Sequence, residues 1–396
     1  MNTLPEPDSD QTALALALAE RIRARIAAAG GALRFDQFMQ AALYEPGLGY
    51  YVAGQRRFGA QGDFVTAPEL SPLYGRCVAV QIASWLKAGA PPVIWEFGAG
   101  SGALPAQIIL ALIEGGLPPP RYRIIEVSPD LRARQQAWLS EQLPRPAFDR
   151  IEWLDRLPDR IEGVVLANEV LDAMPVRVFE HAQDRVFEGA VGLQEGRFQW
   201  QMLPADAAFD VAVRARLAAS GWPLVDFASG YRSEMGEQAW AWVRSVGERL
   251  VHGALLIIDY GFPTREFFHP QRRSGSLNCH YRHRSHDDPF WWPGLCDITA
   301  HVDFGAVHDA ARAAGLALLG YTSQAQFLLG CGLIELFSEW VPDCAVARAR
   351  AAQGLQQLVS EAEMGELFKV IAFGRGLPDS AEIGLAGRDR SAALVV

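Results

Sequence analysis

Three glycines in the stretch IWEFGAGSGAL could bring a ligand close to the protein backbone. Gly98, Gly100 and Gly102 alternate directly after an apolar run that carries Glu96. A glycine turn between a buried strand and a helix usually binds a nucleotide-containing ligand, most often a dinucleotide. The dinucleotide fingerprint places its third glycine three residues after the second, at the position that Ala103 occupies here. The spacing therefore favours a different ligand.

An acidic residue at the end of the next predicted strand narrows the choice of ligand. The segment YRIIEVS carries Glu126, 28 residues after Gly98, and in wound α/β folds such a side chain accepts hydrogen bonds from ribose hydroxyls. S-adenosylmethionine has a ribose but no pyrophosphate, and Glu96 is tolerated beside its positive sulfonium and ammonium groups. We therefore predict that the glycine loop, Glu96 and Glu126 bind S-adenosylmethionine. The alternative is that the glycines serve only a tight turn.

Polar side chains also follow the fourth predicted strand, in the sequence LANEVLDAMPV. Open α/β sheets bind ligands at the carboxyl ends of their strands, so Asn168, Glu169 and Asp172 are expected to face the cofactor. A guanidinium is a weak nucleophile because its lone pairs are delocalised, and carboxylates could orient it and draw charge from the attacking nitrogen. These three residues are candidate catalytic residues for a basic acceptor. The open alternative is an acidic turn that caps the following segment.

Three other segments contain candidate site residues. In GDFVTAPE, Asp63, Thr66 and Glu69 precede the first strand of the predicted sheet, where they would act as a lid and contact the cofactor, or only shape the loop. Tyr260 in IDYGFP follows the fifth strand and would line the acceptor channel or pack in the core. His301 in DITAHVDF is a candidate proton acceptor, although such a histidine more often makes a buried polar contact.

Histidines in CHYRHRSHDD are spaced as if to hold a metal ion. His280, His283 and His286 recur at intervals of three, and two aspartates follow them. Arg282 and Arg284 lie between the histidines and oppose a bound cation. We therefore predict no metal site and interpret the segment as a basic loop that is solvated or faces the substrate.

Strands and helices alternate from VIWEFGAG onwards, which predicts a parallel, Rossmann-like wound α/β sheet that positions these residues. We expect residues 1–90 to form a helical and loop-like N-terminal extension over the active site, 91–375 the donor-binding domain and 376–396 a tail. Period-two alternation at 176–203 predicts an inserted antiparallel β segment, and the irregular segment 263–305 predicts a substrate loop.

Two segments later in the chain are assigned by their periodicity. The sequence YRSEMGEQAWAWVRSVGERLVHG is predicted to be one helix, followed by the buried strand ALLIIDYGF. After the strand-like LALLGYT, the remaining chain up to the tail is predicted to be helical.

Composition and charge argue against several classes of protein. The 396 residues are 50% hydrophobic and carry a formal net charge of −10, so we predict no nucleic acid partner, which would need a clustered positive face. No apolar stretch reaches the roughly 18 residues needed to span a bilayer. The acidic start MNTLPEPDSD has no signal or presequence character, and the five cysteines are scattered. We expect a cytoplasmic protein.

Eight motifs occur in the order found in a known family. They are FMQAALYEPGLGYY, FGAQGDFVTAPELSPLYG, EFGAGSGAL, IIEVSPDLRARQ, ANEVLDAMPV, IDYGFP, HYRHRSHDDPFWWPGLCDITAHVDF and TSQAQFLLGCGL. The chain resembles the MidA-type methyltransferase family, which includes the mitochondrial protein-arginine methyltransferase that assists complex I assembly. The resemblance implies a seven-strand-type methyltransferase sheet, S-adenosylmethionine as donor and protein arginine as a candidate acceptor. Ala67 stands where the family commonly has Ser, and Ala99 and Ser101 replace Pro and Arg.

The residues and the resemblance together predict an S-adenosylmethionine-dependent methyltransferase that acts on arginine nitrogen of a protein substrate with an accessible basic residue. Two alternatives stay open. One is a small-molecule methyltransferase whose acceptor enters through the 263–305 loop. The other is an assembly or binding factor that keeps the methyltransferase fold without turnover. We expect no insertion into a membrane, and a homodimer is one candidate state.

Overall fold

The computed structural model describes residues 4–53, 66–340, 344–378, 380–384 and 388–395. Asp63, which was predicted to contact the cofactor, lies outside the described residues. Among the helices that are described, none combines the length and the apolar character required to cross a membrane.

Helices occur along the whole described chain. In chain order they are α1 (Ser9–Ala28), α2 (Phe35–Tyr44), α3 (Ala67–Leu70), α4 (Pro72–Lys87), α5 (Ala103–Glu114), α6 (Pro129–Gln142), α7 (Arg145–Phe148), α8 (Ala207–Ala219), α9 (Glu237–Arg249), α10 (Thr264–Phe267), α11 (Phe304–Ala313), α12 (Gln324–Gly330), α13 (Leu333–Glu339), α14 (Ala345–Val359) and α15 (Met364–Leu367). Side-chain caps fix where several of them begin: Ser128 accepts the backbone N–H of Leu131 at the start of α6.

The strands, again in chain order, are β1 (Ala32–Arg34), β2 (Val93–Phe97), β3 (Arg121–Ile125), β4 (Ile151–Leu154), β5 (Ile161–Asn168), β6 (Arg177–Ala182), β7 (Arg185–Gln194), β8 (Arg197–Pro204), β9 (Tyr231–Met235), β10 (Leu250–Phe262), β11 (Asn278–Tyr281), β12 (Arg284–His286), β13 (Asp297–Thr299), β14 (Val302–Asp303), β15 (Ala317–Ser323) and β16 (Phe368–Arg375). They form three sheets.

The central sheet has the strand order β15-β16-β10-β5-β2-β3-β4, and β14 pairs with β10. Neighbouring strands from β10 to β4 are parallel, as expected where helices connect them. Strand β16 runs antiparallel to both of its neighbours, β10 and β15. The wound α/β sheet predicted from the sequence is confirmed.

Helices cover both faces of this sheet. Leu256 of β10 packs in a hydrophobic cluster with residues of α4 and α5, such as Val78 and Ile108. The next residue, Ile257, points to the opposite face and packs in a second cluster with α9 and α11. Burial on both faces explains why the strands read as continuous apolar runs.

An antiparallel sheet has the order β1-β7-β6-β9, with β8 paired to β7, and all of its strands except β1 follow β5 in the chain. Strands β6, β7 and β8 cover the segment 176–203 in which antiparallel structure was expected. The prediction of a single helix beginning at YRSEMG is wrong for its first part. Tyr231–Met235 pairs with β6 as strand β9, and Gly236 separates it from α9.

The segment 263–305 is more regular than the predicted loop. It contains α10, the three-stranded sheet β12-β11-β13 and the short strand β14. The expectation of a wholly helical chain after β15 is also wrong, because Phe368–Arg375 enters the central sheet.

The N-terminal helices and the two smaller sheets form one layer. Phe38 of α2, Val178 of β6 and Ile298 of β13 belong to a single hydrophobic cluster. This layer packs beside the carboxyl ends of the parallel strands and encloses the space described next.

Candidate active site

A cavity of about 1380 Å³ opens at the carboxyl ends of β2, β3, β5 and β10. Ligands of open α/β sheets bind at this edge. The opposite wall comes from the end of α2, the turn after it, and β11 and β13. The cavity brings together ten of the residues predicted to form the site, namely Thr66, Glu96, Gly98, Gly100, Glu126, Asn168, Glu169, Asp172, Tyr260 and His301.

The glycine loop connects β2 to α5 in a conformation that few other residues adopt. Gly98, Gly100 and Gly102 have φ angles of +62°, +53° and +89°, in the left-handed region where L side chains are strained. Gly98 and Gly100 line the cavity, whereas Gly102 stands at the N-cap of α5 against Trp138. The turn thus needs its glycines and also exposes backbone to a ligand.

Glu126 follows β3, and each of its carboxylate oxygens accepts a hydrogen bond. Its Oε1 accepts the backbone N–H of Ser128 at 2.8 Å, and its Oε2 accepts Nε2 of Gln135 at 3.1 Å. Burial raises the pKa of Glu126, and these hydrogen bonds oppose the rise. A carboxylate has about four acceptor positions, so the oxygens retain capacity for two hydroxyl donors.

Glu96, at the end of β2, is a buried carboxyl that lines the cavity. The Tyr122 hydroxyl donates to its Oε2 at 2.6 Å. Burial raises the pKa of Glu96 to about 8, although the tyrosine contact favours the charged form. A cation beside Glu96 would favour the ionised carboxylate further.

Asn168, the last residue of β5, contacts Glu169, the residue after it. The Tyr74 hydroxyl donates to Oδ1 of Asn168, and Nδ2 of Asn168 donates to Oε1 of Glu169 at 3.1 Å. Burial raises the pKa of Glu169 to about 8, and the contacts with Asn168 and the Ala67 backbone oppose the rise. Glu169 has a φ of +53°, a strained conformation for a residue with a side chain.

Asp259 of β10 supports the turn that carries these carboxylates. Its Oδ2 accepts the backbone N–H groups of Val170, Leu171 and Asp172 at 3.2, 2.9 and 3.3 Å. Asp259 is fully buried, and burial together with the charges of Asp172 and Glu169 raises its pKa well above the usual range. The backbone of the turn is therefore capped from another strand.

Asp172 lines the cavity, and the residue is only 6% exposed. Its Oδ1 has no hydrogen-bond partner among the described residues. Burial raises the pKa of Asp172 to about 6, and contact with the Tyr260 hydroxyl opposes the rise. A buried oxygen of this kind costs free energy until a hydrogen-bond donor pairs with it.

Tyr260 and His301 lie together at the edge of the cavity, with ring centroids 5.3 Å apart. Burial and the charges of Arg272 and Lys369 lower the pKa of His301 to about 4. The imidazole is therefore neutral at physiological pH and can accept a hydrogen bond. Its Nδ1 is buried, with no partner in the part of the chain that the structure describes.

Thr66 and Glu69 belong to the first turn of α3. The backbone N–H of Thr66, the N-cap residue, donates to Glu69 Oε2 at 3.4 Å. Thr66 lines the cavity, but Glu69 is not among the described residues that do so. Glu69 caps the first turn of α3, and its predicted contact with the cofactor stays a prediction.

The histidines of CHYRHRSHDD lie on a hairpin and not on one face of a helix. His280 is in β11 and lines the cavity, His286 is in β12, and His283 occupies the turn between them. The rings of His286 and Trp291 meet edge to face, with centroids 5.7 Å apart.

The lining of the cavity is acidic and aromatic. Among the described lining residues there is no Lys or Arg, and the carboxylates are Glu96, Glu126, Asp130, Glu169, Asp172 and Asp297. Glu96, Glu126 and Asp130 lie on the side of the cavity near the glycine loop. Glu169, Asp172 and Asp297 lie away from that loop, on the far side of the cavity. The arrangement disfavours anions such as pyrophosphate and favours cationic ligands.

Several lining residues were not anticipated. Tyr44 and Tyr51, from the aromatic segment ALYEPGLGYY, stack with ring centroids 5.5 Å apart. The Tyr44 hydroxyl donates to the Ala173 carbonyl at 3.0 Å, and the Tyr51 hydroxyl donates to Asp297 Oδ1 at 2.8 Å. Two features of the sequence could have indicated them: the density of aromatic residues in this segment, and its place in the motif FMQAALYEPGLGYY.

Comparison with known proteins agrees with this geometry. Residues 77–322 match the model of a family described as S-adenosyl-L-methionine-dependent methyltransferases. A crystal structure from Burkholderia thailandensis, solved with S-adenosyl-homocysteine bound, is 46% identical in sequence and has a TM-score of 0.92. The match covers 98% of this chain and 100% of that one. A second structure from the same organism is 45% identical with a TM-score of 0.89.

Curated relatives add names that concern the acceptor. The protein arginine methyltransferase NDUFAF7 homolog of Drosophila melanogaster is 28% identical, over 94% of this chain and 88% of that protein. NDUFAF7 of Danio rerio is 29% identical, over 86% and 83%. Both are named as mitochondrial proteins, as is human NDUFAF7. This finding overturns the prediction of a cytoplasmic location.

Proposed function

Because the chain belongs to the family of S-adenosyl-L-methionine-dependent methyltransferases, we propose that its acceptor is an arginine guanidinium on a protein substrate. The methyl donor is S-adenosylmethionine. The observation that carries the acceptor proposal is the far side of the cavity, where carboxylates lie among aromatic rings and no Lys or Arg is present among the described lining residues. The names of the curated relatives point the same way.

The donor side of the cavity fits this cofactor. We assign Glu126 to the ribose hydroxyls, since both of its oxygens keep acceptor capacity. The left-handed backbone at Gly98 and Gly100 would pass beside the amino-acid portion, and Glu96 would face its positive groups. When bound, S-adenosylmethionine supplies an electrophilic methyl group on a positively charged sulfur.

On the acceptor side, we assign Glu169 and Asp172 to the guanidinium. Asp172 is buried and Glu169 is partly buried, which strengthens their interaction with a cation, and the turn between them is held by Asp259. They would orient the guanidinium plane and localise a lone pair on the attacking nitrogen. Alignment of the two reactants then supplies most of the rate enhancement.

The attacking nitrogen loses one proton as it gains a methyl group. The cationic guanidinium and sulfonium would favour the ionised form of Glu169 before transfer, so a carboxylate oxygen of Glu169 would accept that proton. Burial, which raises the pKa of the ligand-free group to about 8, favours its protonation once the sulfonium charge is lost. Asn168, which donates to the other oxygen, would keep the carboxylate oriented. His301 would accept a hydrogen bond at the edge of the site as a neutral imidazole.

Isotopic labelling would test the proposal. The purified protein is incubated with methyl-labelled S-adenosylmethionine and a cell extract, and the label is followed into protein and into small molecules. We expect label in protein, recovered as methylarginine after acid hydrolysis. Label confined to small molecules would instead identify a small-molecule methyltransferase. Donor binding without label in either fraction would favour a binding factor without turnover.

A further inference from the structure

Two contacts reach the Glu169 carboxylate from α3 and α4. The Tyr74 hydroxyl of α4 donates to Oδ1 of Asn168, and Nδ2 of Asn168 donates to Oε1 of Glu169 at 3.1 Å. The backbone of Ala67, the first residue of α3, also hydrogen-bonds the Glu169 carboxylate. The side chain assigned to the acceptor is therefore held by two helices that precede the central sheet in the chain.

The Tyr74 hydroxyl determines which way the Asn168 amide faces. Tyr74 is fully buried, and burial and the charge of Glu169 raise its pKa well above the usual range, so its hydroxyl keeps the proton that it donates. An amide has an acceptor oxygen on one side and an NH2 donor on the other. With its oxygen bound to Tyr74, the amide presents its NH2 group to Glu169, and this contact favours the ionised carboxylate.

Gln107 of α5 binds the backbone of the same two helices. Its Nε2 donates to the carbonyl of Pro68 at 2.7 Å, and its Oε1 accepts the backbone N–H of Gly75 at 3.0 Å. A Cβ at Gly75 would lie 2.5 Å from that Oε1, which is closer than real Cβ contacts allow. The glycine therefore permits the close approach between α4 and the Gln107 amide.

The backbone groups that Gln107 binds belong to the residues directly after Ala67 and Tyr74. Both supports of Glu169 are thus held within one residue of where they act. Helix α5 begins at the glycine loop, the assigned donor site, so one helix carries the donor loop and the side chain that holds these supports. Such a connection fixes the position of the carboxylate relative to the donor, on which the rate depends steeply.

The backbone of Glu169 is strained and depends on its surroundings. Its φ of +53° lies in the left-handed region, and strained residues of this kind persist only where the neighbouring structure determines their conformation. The backbone N–H of Glu169 donates to the carbonyl of Ile258 at 2.9 Å, which holds the main chain. The contacts from Asn168 and Ala67 hold the side chain.

We propose that Tyr74 and Gln107 are positioning residues for the Glu169 carboxylate. Tyr74 orients the amide of Asn168, and Gln107 holds the first turns of α3 and α4 in place. Neither side chain is among the described residues that line the cavity, so both act through their neighbours. This inference rests on the proposed role of Glu169 as the group that accepts the proton, and it adds the residues that keep that group ionised and in position.

Infrared spectroscopy tests the inference without a methyl acceptor. Protein saturated with S-adenosyl-homocysteine is titrated between about pH 4 and pH 10, a range that brackets the ionisation of a buried carboxyl. The C=O stretch of protonated carboxyls is recorded, and the band that Glu169→Gln removes belongs to Glu169. In Tyr74→Phe, the titration midpoint of Glu169 should rise by about one pH unit. Calorimetry should find S-adenosyl-homocysteine affinity within about twofold of wild type.

A double variant separates orientation of the amide from a general loss of packing. Asn168→Ala should raise the Glu169 midpoint by itself, and adding Tyr74→Phe should raise it no further, because the two residues act in series. Tyr231→Phe is the matched control, since it removes a buried tyrosine hydroxyl from β9, outside the cavity lining, and should leave the midpoint unchanged. Gln107→Met keeps the length of the side chain without its amide and should shift the midpoint in the same direction as Tyr74→Phe.

Three results would overturn the inference: an unchanged midpoint in Tyr74→Phe and Gln107→Met, additive shifts in the double variant, or a Glu169 carboxylate that stays ionised over the whole range. None of these measurements depends on the identity of the acceptor. Failure to recover methylarginine in the labelling experiment would instead contradict the proposed function and would leave the infrared result intact.

Discussion

Nε2 of Gln135 lies 3.1 Å from Oε2 of Glu126 and donates a hydrogen bond to it. The same nitrogen donates to the carbonyl of Gly100 at 3.0 Å, so one buried side chain joins the assigned ribose-binding carboxylate to the glycine loop. Trp153 donates to Oε1 of Gln135 at 3.0 Å, which fixes the orientation of the amide. These hydrogen bonds fix the distance between Glu126 and the glycine loop, the two parts of the donor site.

Replacing Gln135 should therefore weaken donor binding. In Gln135→Leu, Glu126 loses an orienting hydrogen bond, and we expect roughly a tenfold loss of affinity for S-adenosyl-homocysteine by calorimetry. Turnover at saturating donor should change much less. The matched control is Gln136→Leu, an exposed neighbour on the same helix. Equal affinities for wild type and Gln135→Leu would show that Glu126 needs no such support.

Glu169→Gln should separate chemistry from donor binding. The amide has the same shape but lacks the charge assigned to the acceptor, so donor affinity should stay within about twofold while turnover falls on the order of a hundredfold or more. Methyl transfer and calorimetry are measured on the same preparation. Glu69→Gln alters a nearby carboxyl that caps α3 and serves as control. Loss of donor binding in step with activity would instead place Glu169 in the donor site.

Replacing Asp259 should lower the stability of the fold, because its carboxylate binds the backbone of the turn after β5. Asp259→Ala leaves three backbone N–H groups of the turn without their acceptor, and we expect a loss of about 3 kcal/mol in the free energy of unfolding. Asp259→Asn keeps an acceptor oxygen and should lose markedly less. Urea unfolding distinguishes the two variants, and equal losses would argue against the capping role.

The stability of the ligand-free protein should depend on pH, because the pKa of a buried carboxyl differs between the folded and the unfolded state. Burial raises the pKa of Glu96 to about 8, above the roughly 4.3 of an unfolded glutamate. The folded state then binds the proton more tightly, so this contribution is present below about pH 4 and is lost as the pH rises towards 8. Glu96→Gln cannot titrate, and its melting temperature should decline less between pH 5 and 8 than that of wild type.

Added S-adenosylmethionine should reduce the decline in wild type, because a cation favours the ionised carboxylate. Thermal unfolding at several pH values, with and without the donor, provides the measurement. Parallel curves for wild type and Glu96→Gln would contradict the assignment.

The parallel strands and the residues that follow them could be predicted because both depend on local sequence. Glu96, Glu126 and Glu169 each come at the end of an apolar run, and parallel strands bring their carboxyl ends to one edge. Strand β16 was missed because a short apolar run such as FKVIAFGR does not reveal by periodicity whether it is strand or helix. Its place between β10 and β15 is set by tertiary pairing.

The contacts on the acceptor side of the cavity were harder to predict from the sequence. Nothing near Asp297 in the sequence indicates that Tyr51 donates to it, and nothing near Asp172 indicates the cap from Asp259. Gln135 is likewise one polar residue among several on α6, and only the packing of α6 against the glycine loop gives it two acceptors. Contacts of this kind follow from the assembled fold.

The hydrogen bond between Tyr51 and Asp297 joins residues that are 246 positions apart in the chain. The bond between Gln135 and Glu126 spans only nine. Closing a long loop costs chain entropy before the contact can compensate, so contacts of high sequence separation tend to form late in folding. We therefore expect the contact between Gln135 and Glu126 to form before the contact between Tyr51 and Asp297, so that methyl transfer would require the later contacts as well.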